Sequence, residues 1–379
     1  YAGTFSSNNL TIGRNGHNIQ GVANDSLIST NRASLLLVYV DSTKGWIYAE
    51  ESNVADLQGP TFIPATGGTI TTSGDYKIHT FTGDGCFVVA SIGNCAAPAS
   101  QRDKVDYLVV AGGGSGGYAD IAGGGGAGGF RLSNVTCMPG PQTSPLANPT
   151  GITVSATTYP VTVGGGGAAV CLSSSPTIGS SGSNSIFSTI TSAGGGGGGG
   201  NSLPIAPGQP GGSGGGASYR CATGGSGNTP PTSPPQGNNG GNSSPTPGNP
   251  AWGQGGGGGA GAVGANGTGG PTGTGGNGGI GSYVVSSGFA GCNGTPGPVC
   301  GVKYFAGGGG GSVEQSSSTS GGTGGAGGGG DGFTASPTNT NSTAGTANTG
   351  GGGGGGENGF NSPGAAGGKG IVIIRYKFQ

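Results

Sequence analysis

Charge is what this sequence has least of. Of 379 residues, 12 are Lys or Arg and 13 are Asp or Glu, 7% in all, and the formal net charge is −1. An ordinary soluble domain carries roughly a quarter charged residues. The few Lys and Arg are not clustered, so the chain lacks the cationic stripe that a phosphate backbone requires, and nucleic acid is not an expected partner. Long apolar runs are missing as well. No stretch reaches the ~18 apolar residues of a membrane-spanning helix, so no insertion in a membrane is expected. No secretory leader is visible, and a start at Tyr1 instead of Met is the start expected of a processed chain or a fragment. Histidine is limited to His17 and His79, far apart in sequence. No C-x2-C spacing occurs among the cysteines, so no metal and no cofactor has a ligand set.

These shortages also bear on catalysis. Asp75, Asp84, Asp103 and Asp106 could supply a carboxylate pair of the kind a glycosidase uses. Turn and strand-end solvation accounts for them more simply, and His79 reads as an exposed residue of a strand. G-x-G-x-x-G occurs many times but follows by chance from the glycine content, and "GGKG" at 367–370 lacks the Ser or Thr of a phosphate loop. The chain is therefore expected not to be an enzyme.

What the chain has instead is glycine: 100 Gly, with 24 Pro. Such a composition without a fixed period commonly means disorder. Disordered chains, however, combine high net charge with few apolar residues. Here 31% of residues are hydrophobic, with eleven Phe, eleven Tyr and two Trp. An uncharged, partly apolar chain suits a packed object better than a solvated coil.

Composition divides the chain into three zones. Residues 1–58 have few glycines and read as short strands and turns, with an Asn-Gly turn signal at Asn15–Gly16. Leu35 to Val40 is a continuous apolar run with Trp46 soon after. A strand this apolar needs cover on both faces, and some fifty residues cannot provide it alone, so a subunit interface is expected there. Residues 59–106 read as a β connector, "GGTITTSGDYKIHTFTGDGCFVVA", with a hairpin turning at Gly83–Gly85. Nine of the 13 acids precede Tyr107. Residues 107–379 open on "VDYLVVAGGG" and close on "GKGIVIIRYKFQ"; short strands alternate with glycine runs such as Gly194–Gly200 and Gly350–Gly356. The runs recur irregularly, which rules out a fixed-period solenoid, and G-X-Y is not kept in phase as in collagen. Residues 222–250, rich in Pro, Asn and Ser, read as a loop.

Glycine can itself be a building material. A polyproline II helix has three residues per turn and rises about 3.1 Å per residue, with no internal hydrogen bonds. Its N–H and C=O groups point outward and need partners. Without side chains, neighbouring helices approach until backbone bonds backbone, and a run of seven spans roughly 20 Å. Ordering glycine costs about 0.5–1 kcal/mol per residue beyond Ala, so such a slab needs staples. Short strands, apolar pairs and disulfides could supply them. The expected fold is mostly β: a β-rich region, a β connector, and a domain of short strands with packed polyglycine II helices and little or no α-helix.

Among seven cysteines, Cys86 with Cys95 and Cys292 with Cys300 would each close a short loop, and Cys137 with Cys171 a longer one. Disulfides would fit an extracellular particle. Free thiols made in a reducing compartment are the other reading. The odd count leaves one unpaired, and Cys221 is the choice. Aromatics set among small residues give contact area at low entropy cost, which makes Tyr219, Trp252, Tyr304, Phe305, Phe333 and Phe360 candidate receptor-binding residues. The same rings could instead pack on glycine backbone as staples.

"DYLVVAGGGSGG", "GGGGAGGF", "YPVTVGGGG" and "GIVIIRYKFQ" resemble, in this order, the glycine-rich domain of bacteriophage tail-fibre and related virion proteins. The preceding "GGTITTSGDYKIHTFTGDGCFVV" is similar to the segment that leads into that domain, and "LTIGRNGHNIQG" with "LLLVYVDSTKGW" to a stretch of phage fibre shafts. The resemblance implies a homotrimeric fibre with residues 1–58 as an intertwined shaft. It implies a rigid polyglycine domain whose loops read a host-surface glycan or outer-envelope protein, exposed on the virion and anchored to other tail or capsid proteins. The number of cysteines departs from that pattern. A capsid or neck decoration fibre and a secreted glycine-rich cell-surface filament are the alternatives.

Overall fold

The computed structural model describes residues 5–31, 33–52, 56–57, 60–95, 97–133, 144–170, 177–200, 204–245, 252–314, 319–335 and 339–379. Among these it is mostly β, with one short helical turn at Ser286–Ala290. The first five strands make two small sheets. β1 (Leu10–Ile12), β2 (Ser26–Ile28) and β5 (Asp56–Leu57) form one; β3 (Ser34–Asp41) and β4 (Gly45–Ser52) form a hairpin. The hairpin turn is set by Asp41, whose Oδ1 accepts from the N–H groups of Thr43 and Lys44 at 2.8 and 2.6 Å. Tyr39 packs edge-on between His17 and Trp46, with ring centroids 5.1 and 5.4 Å apart. Leu36, Val38 and Val40, alternate residues of β3, are exposed.

The remaining strands run β6 (Ala65–Thr66), β7 (Thr69–Ser73), β8 (Tyr76–Phe81), β9 (Gly85–Val89), β10 (Lys104–Val110), β11 (Phe130–Ser133), β12 (Ala147–Asn148), β13 (Ile152–Thr153), β14 (Thr158–Thr162), β15 (Ser185–Phe187), β16 (Ile190–Ser192), β17 (Ser282–Val285), β18 (Val302–Phe305) and β19 (Ile371–Lys377). A seven-stranded sheet has the order β12-β11-β10-β19-β8-β7, with β13 also on β10. A five-stranded sheet has the order β16-β15-β14-β9-β6. The hairpin expected across Gly83–Gly85 does not form. β8 pairs with β7 and β19, while β9 pairs with β14 and β6, so the glycine turn is a corner between two sheets. Phe81 and Phe87 on either side of it both point into the layer between those sheets. The boundary drawn at 106/107 falls inside β10, and both sheets take strands from either side of it.

Two strands explain the continuous apolar runs. On β10, Val105, Tyr107 and Val109 enter the core shared with the five-stranded sheet, and Leu108 and Val110 enter the opposite core under β17, β18 and Phe289. β19 divides likewise, with Val372, Ile374 and Tyr376 on one side and Ile371 and Ile373 on the other. Strands buried on both faces read as unbroken hydrophobic stretches. Arg375 joins the layers: Nη2 lies 2.9 Å from Asp106 Oδ2, Nη1 donates to Gly288 O, and the guanidinium lies between the Tyr76 and Phe289 rings.

From the ends of these strands the glycine segments run away from the sheets and back. Their hydrogen bonds reveal the conformation. Gly112 and Ser115 donate to Ser183 and Ser180; Gly113 and Gly116 to Gly368 and Ala365; Gly114 and Gly117 to Gly126 and Gly123. Every third N–H thus meets the same neighbour, three residues further back along it. That is three residues per turn with antiparallel neighbours on three sides, the polyproline II geometry. Gly124 and Ala127 donate to Gly255 and Gly258, stepping forward by three, so that neighbour is parallel. Glycine is demanded by approach: a Cβ at Gly125 would stand 2.1 Å from Gly114 O. Among the side chains that enter the slab, Ser115 Oγ accepts from Ser180 N, and Gln236 Oε1 accepts from Ala193 N.

The stretch 222–250 is only partly the loop expected of it. Gly225 N donates to Gly215 O, Gly240 N to Gly225 O and Gly241 N to Gly256 O, so segments on both sides of 229–235 are members of the slab. Asn238, which read as a loop residue, directs its Nδ2 to the Gly259 and Ala260 carbonyls. His79 is fully buried, not exposed. Its Nδ1 lies 2.7 Å from Gly67 O and its Nε2 3.1 Å from Tyr376 Oη, because β8 is covered on both faces. Burial lowers its pKa, against the bond to Gly67 and with the nearby Lys77. Burial also pushes the Tyr376 hydroxyl up to about 12.

Candidate functional site

The slab has two ends. One merges with the sheets. The other gathers the turns that carry non-glycine residues, and its backbone and hydroxyl contacts tie distant segments together. Ser218 Oγ donates to Ile121 O, Ala122 N donates to Ser312 Oγ, Glu314 N donates to Trp252 O, and Asn358 N donates to Ala119 O. Ser244 N donates to Gly253 O, and Gly253 bridges to Val313. This far end therefore brings together turns near 120, 220, 244, 253, 313 and 358.

Of the six aromatic candidates, four lie here and two do not. Tyr219 and Trp252 are half-buried and face a common cation: the Arg220 guanidinium lies 4.5 Å from the Trp252 centroid and 5.9 Å from that of Tyr219. Phe333 and Phe360 stack at 5.4 Å and pack with Val313, Phe333 being fully buried and Phe360 half-buried. Tyr304 and Phe305 lie on β18 at the sheet end. Both are buried, Tyr304 against Tyr283 and Phe305 in the core with Phe130 and Ile371. An alternating strand directs one face inward whatever its composition, and β18 is covered on both faces, so these two rings are staples. Among the six, surface for a partner is left at Tyr219, Trp252 and Phe360.

Arg220 is held by its neighbours' backbone. Tyr219 and Cys221 both adopt positive φ, +58° and +54°. Non-glycine residues in that region cost of order 1–3 kcal/mol each and persist where surrounding structure imposes them. The adjoining recess, about 10 Å³, is lined by Ile121, Tyr219, Arg220, Ser243, Trp252 and Gln254 among others. Two buried polar atoms here have no hydrogen-bond partner among the described residues: the Trp252 Nε1 donor and the Gln254 Oε1 acceptor. Gln254 Nε2 donates to Trp252 O at 2.9 Å, which fixes the amide and leaves Oε1 as its open end. An unsatisfied buried group costs about 1–3 kcal/mol, so an open donor and an open acceptor on two residues that line one recess call for partners.

Sequence reasoning missed Arg220 and Gln254. The available signal was scarcity: in a slab that excludes side chains, a charged residue is confined to an end. Three of the four acids after Tyr107, Asp120, Glu314 and Glu357, interact at this end, while the exposed Asp331 accepts from Gly324 N through its Oδ1. Burial raises the Glu314 and Glu357 pKa values, with Asp120 adding to both; Arg220 opposes the shift at Glu314, and hydrogen bonds from Phe360 and Gly359 oppose it at Glu357.

The other candidates are separate. Asp106 is paired with Arg375, Asp75 lies 3.5 Å from Lys377, Asp103 lies 3.9 Å from Lys104, and Asp84 Oδ1 accepts from Val163 N. Cys86, Cys95, Cys292 and Cys300 are exposed free thiols here, not the two loop-closing disulfides expected, and Cys221 is also free. Cys137 and Cys171 lie outside the described residues. Among the described residues no group of three or more His, Cys, Asp or Glu could hold a metal ion, and no helix is long and apolar enough to cross a membrane.

A family model described as a glycine-rich domain matches residues 90–377. No curated protein matches the chain.

Proposed function

The chain belongs to the glycine-rich domain family, and on that premise we propose that it is a noncatalytic fibre or tip protein of a bacteriophage tail that attaches the particle to a host surface through loops on a rigid polyglycine scaffold. The observation that carries this reading is the asymmetry of the slab. One end is fixed in a double-layered β core, and the other offers turns from six separate segments joined backbone to backbone. Loops held this way can change sequence without disturbing the slab, because slab contacts use backbone atoms. Binding residues concentrate on such loops.

Residues 1–58 serve as the oligomerising shaft. The exposed Leu36, Val38 and Val40 face is the surface that second and third copies cover, and three linked tips raise avidity without new kinds of contact. The same apolar face would serve a capsid or neck decoration fibre. The two readings separate on particles: antibody against residues 107–379 should label tail tips, and added protein should compete with particles for adsorption to bacteria. Labelling confined to capsid or neck, with no competition, would replace attachment by decoration.

A further inference from the structure

We infer that the recess beside Arg220 and Trp252 is a subsite for one hydroxyl group of a neutral saccharide. The inference rests on the attachment reading and specifies its ligand. Two residues that line the recess each carry a buried polar atom without a hydrogen-bond partner, the Trp252 Nε1 donor and the Gln254 Oε1 acceptor, and the recess has space for one water-sized group. Only a group that donates and accepts at once satisfies both, and in a space for one water-sized atom a ligand does so with a hydroxyl, since an amide or a carboxyl would have to bring in two polar atoms. A carboxylate or phosphate would set an anion against Gln254 Oε1 with Asp120 and Glu314 nearby. An ammonium would set a cation against the Trp252 N–H and Arg220.

The surroundings suit a sugar. Arg220 is exposed and already lies over the Trp252 ring, so its outward N–H groups remain available to neighbouring hydroxyls. Ser243 also lines the recess, and its hydroxyl donates to Tyr219 O and accepts from Ala222 N, so it fixes the wall of the recess and does not itself meet a ligand. The backbone is fixed beforehand: Gln254 N donates to Ser312 O and Gln254 O accepts from Gly276 N, so the subsite requires little ordering on binding.

The test uses the full chain on immobilised bacterial lipopolysaccharides and capsular polysaccharides, native or periodate-oxidised, and on intact bacteria with and without protease treatment. Binding to at least one polysaccharide, abolished by periodate, is expected. Trp252→Phe, which keeps a ring under Arg220 but removes the donor, and Gln254→Leu, which removes the acceptor, should each weaken it tenfold or more at unchanged melting temperature. Competition by free methyl glycosides on the unaltered protein gives a readout independent of variant folding, and displacement is expected. Equal binding by both variants would mean that the recess holds a structural water only, leaving attachment intact. Binding lost to protease but not to periodate would make the receptor a protein and overturn the saccharide assignment. Absence of binding to any cell in the panel would count against the attachment reading itself.

Discussion

A methyl group at Gly125 would meet backbone atoms of Gly114 and Ser115 at 2.1 to 2.8 Å, whereas at Gly165 nothing lies within 4 Å. Both belong to glycine runs, so the sequence treats them alike. We expect Gly125→Ala to destabilise the fold by about 1–3 kcal/mol or more, as overpacking does. Gly165→Ala should be neutral or stabilising by about 0.4–1 kcal/mol, since it restricts only the unfolded chain. Urea unfolding of the two variants separates them, and equal losses would contradict the packing described. His79 gives a second prediction. Its folded pKa lies below its ordinary value of 6.5, so the unfolded chain binds the proton more readily. Its contribution is complete above that value and falls as pH drops below it, by up to about 1.4 kcal/mol per pH unit. Unfolding at pH 7.5 and pH 5 should show the loss, and His79→Phe should remove that part of the slope. The sequence marked both residues but not their surroundings: an alternating strand does not state which of its faces are covered.

At the scale of elements, β10 and β19 were legible, because unbroken runs such as Leu108–Val110 and Ile371–Ile374 are what burial on both faces requires. The turn at Gly83–Gly85 was legible as a turn only. A period of two identifies a strand but not its partner, and the packing of Phe81 and Phe87 into one layer sends β8 and β9 to different sheets. The glycine runs were legible as rods, since polyproline II packing follows from the absence of side chains. For Gly350–Gly356, all seven successive N–H groups donate to acceptors within the protein. Hydrogen exchange there should be roughly a thousandfold or more slower than in an unstructured chain, for a global stability of about 5 kcal/mol. Exchange at the free-chain rate would turn these rods into tethers.

For the whole molecule, the proposed trimer requires a native mass three times the 35.3 kDa of the chain. Leu36→Glu or Val38→Lys on the exposed β3 face should return the mass to a single copy while leaving exchange in the glycine slab unchanged. A monomer in the unaltered protein would remove the shaft from the proposal. Individual aromatic residues show where the sequence stopped informing: Trp252 and Tyr304 read alike as rings among small residues, yet one borders the far-end recess and the other is buried on β18. By itself the sequence determined the material of this protein. Few charges, many glycines and short apolar strands leave backbone hydrogen bonding between side-chain-free rods as the way to build a compact body. Only the tertiary structure decided which rods are neighbours and which turns meet at the far end. Interchangeable glycine runs carry no side-chain pattern to specify a partner, so Arg220, Trp252 and Gln254 come together through the order in which the β core launches and receives each rod.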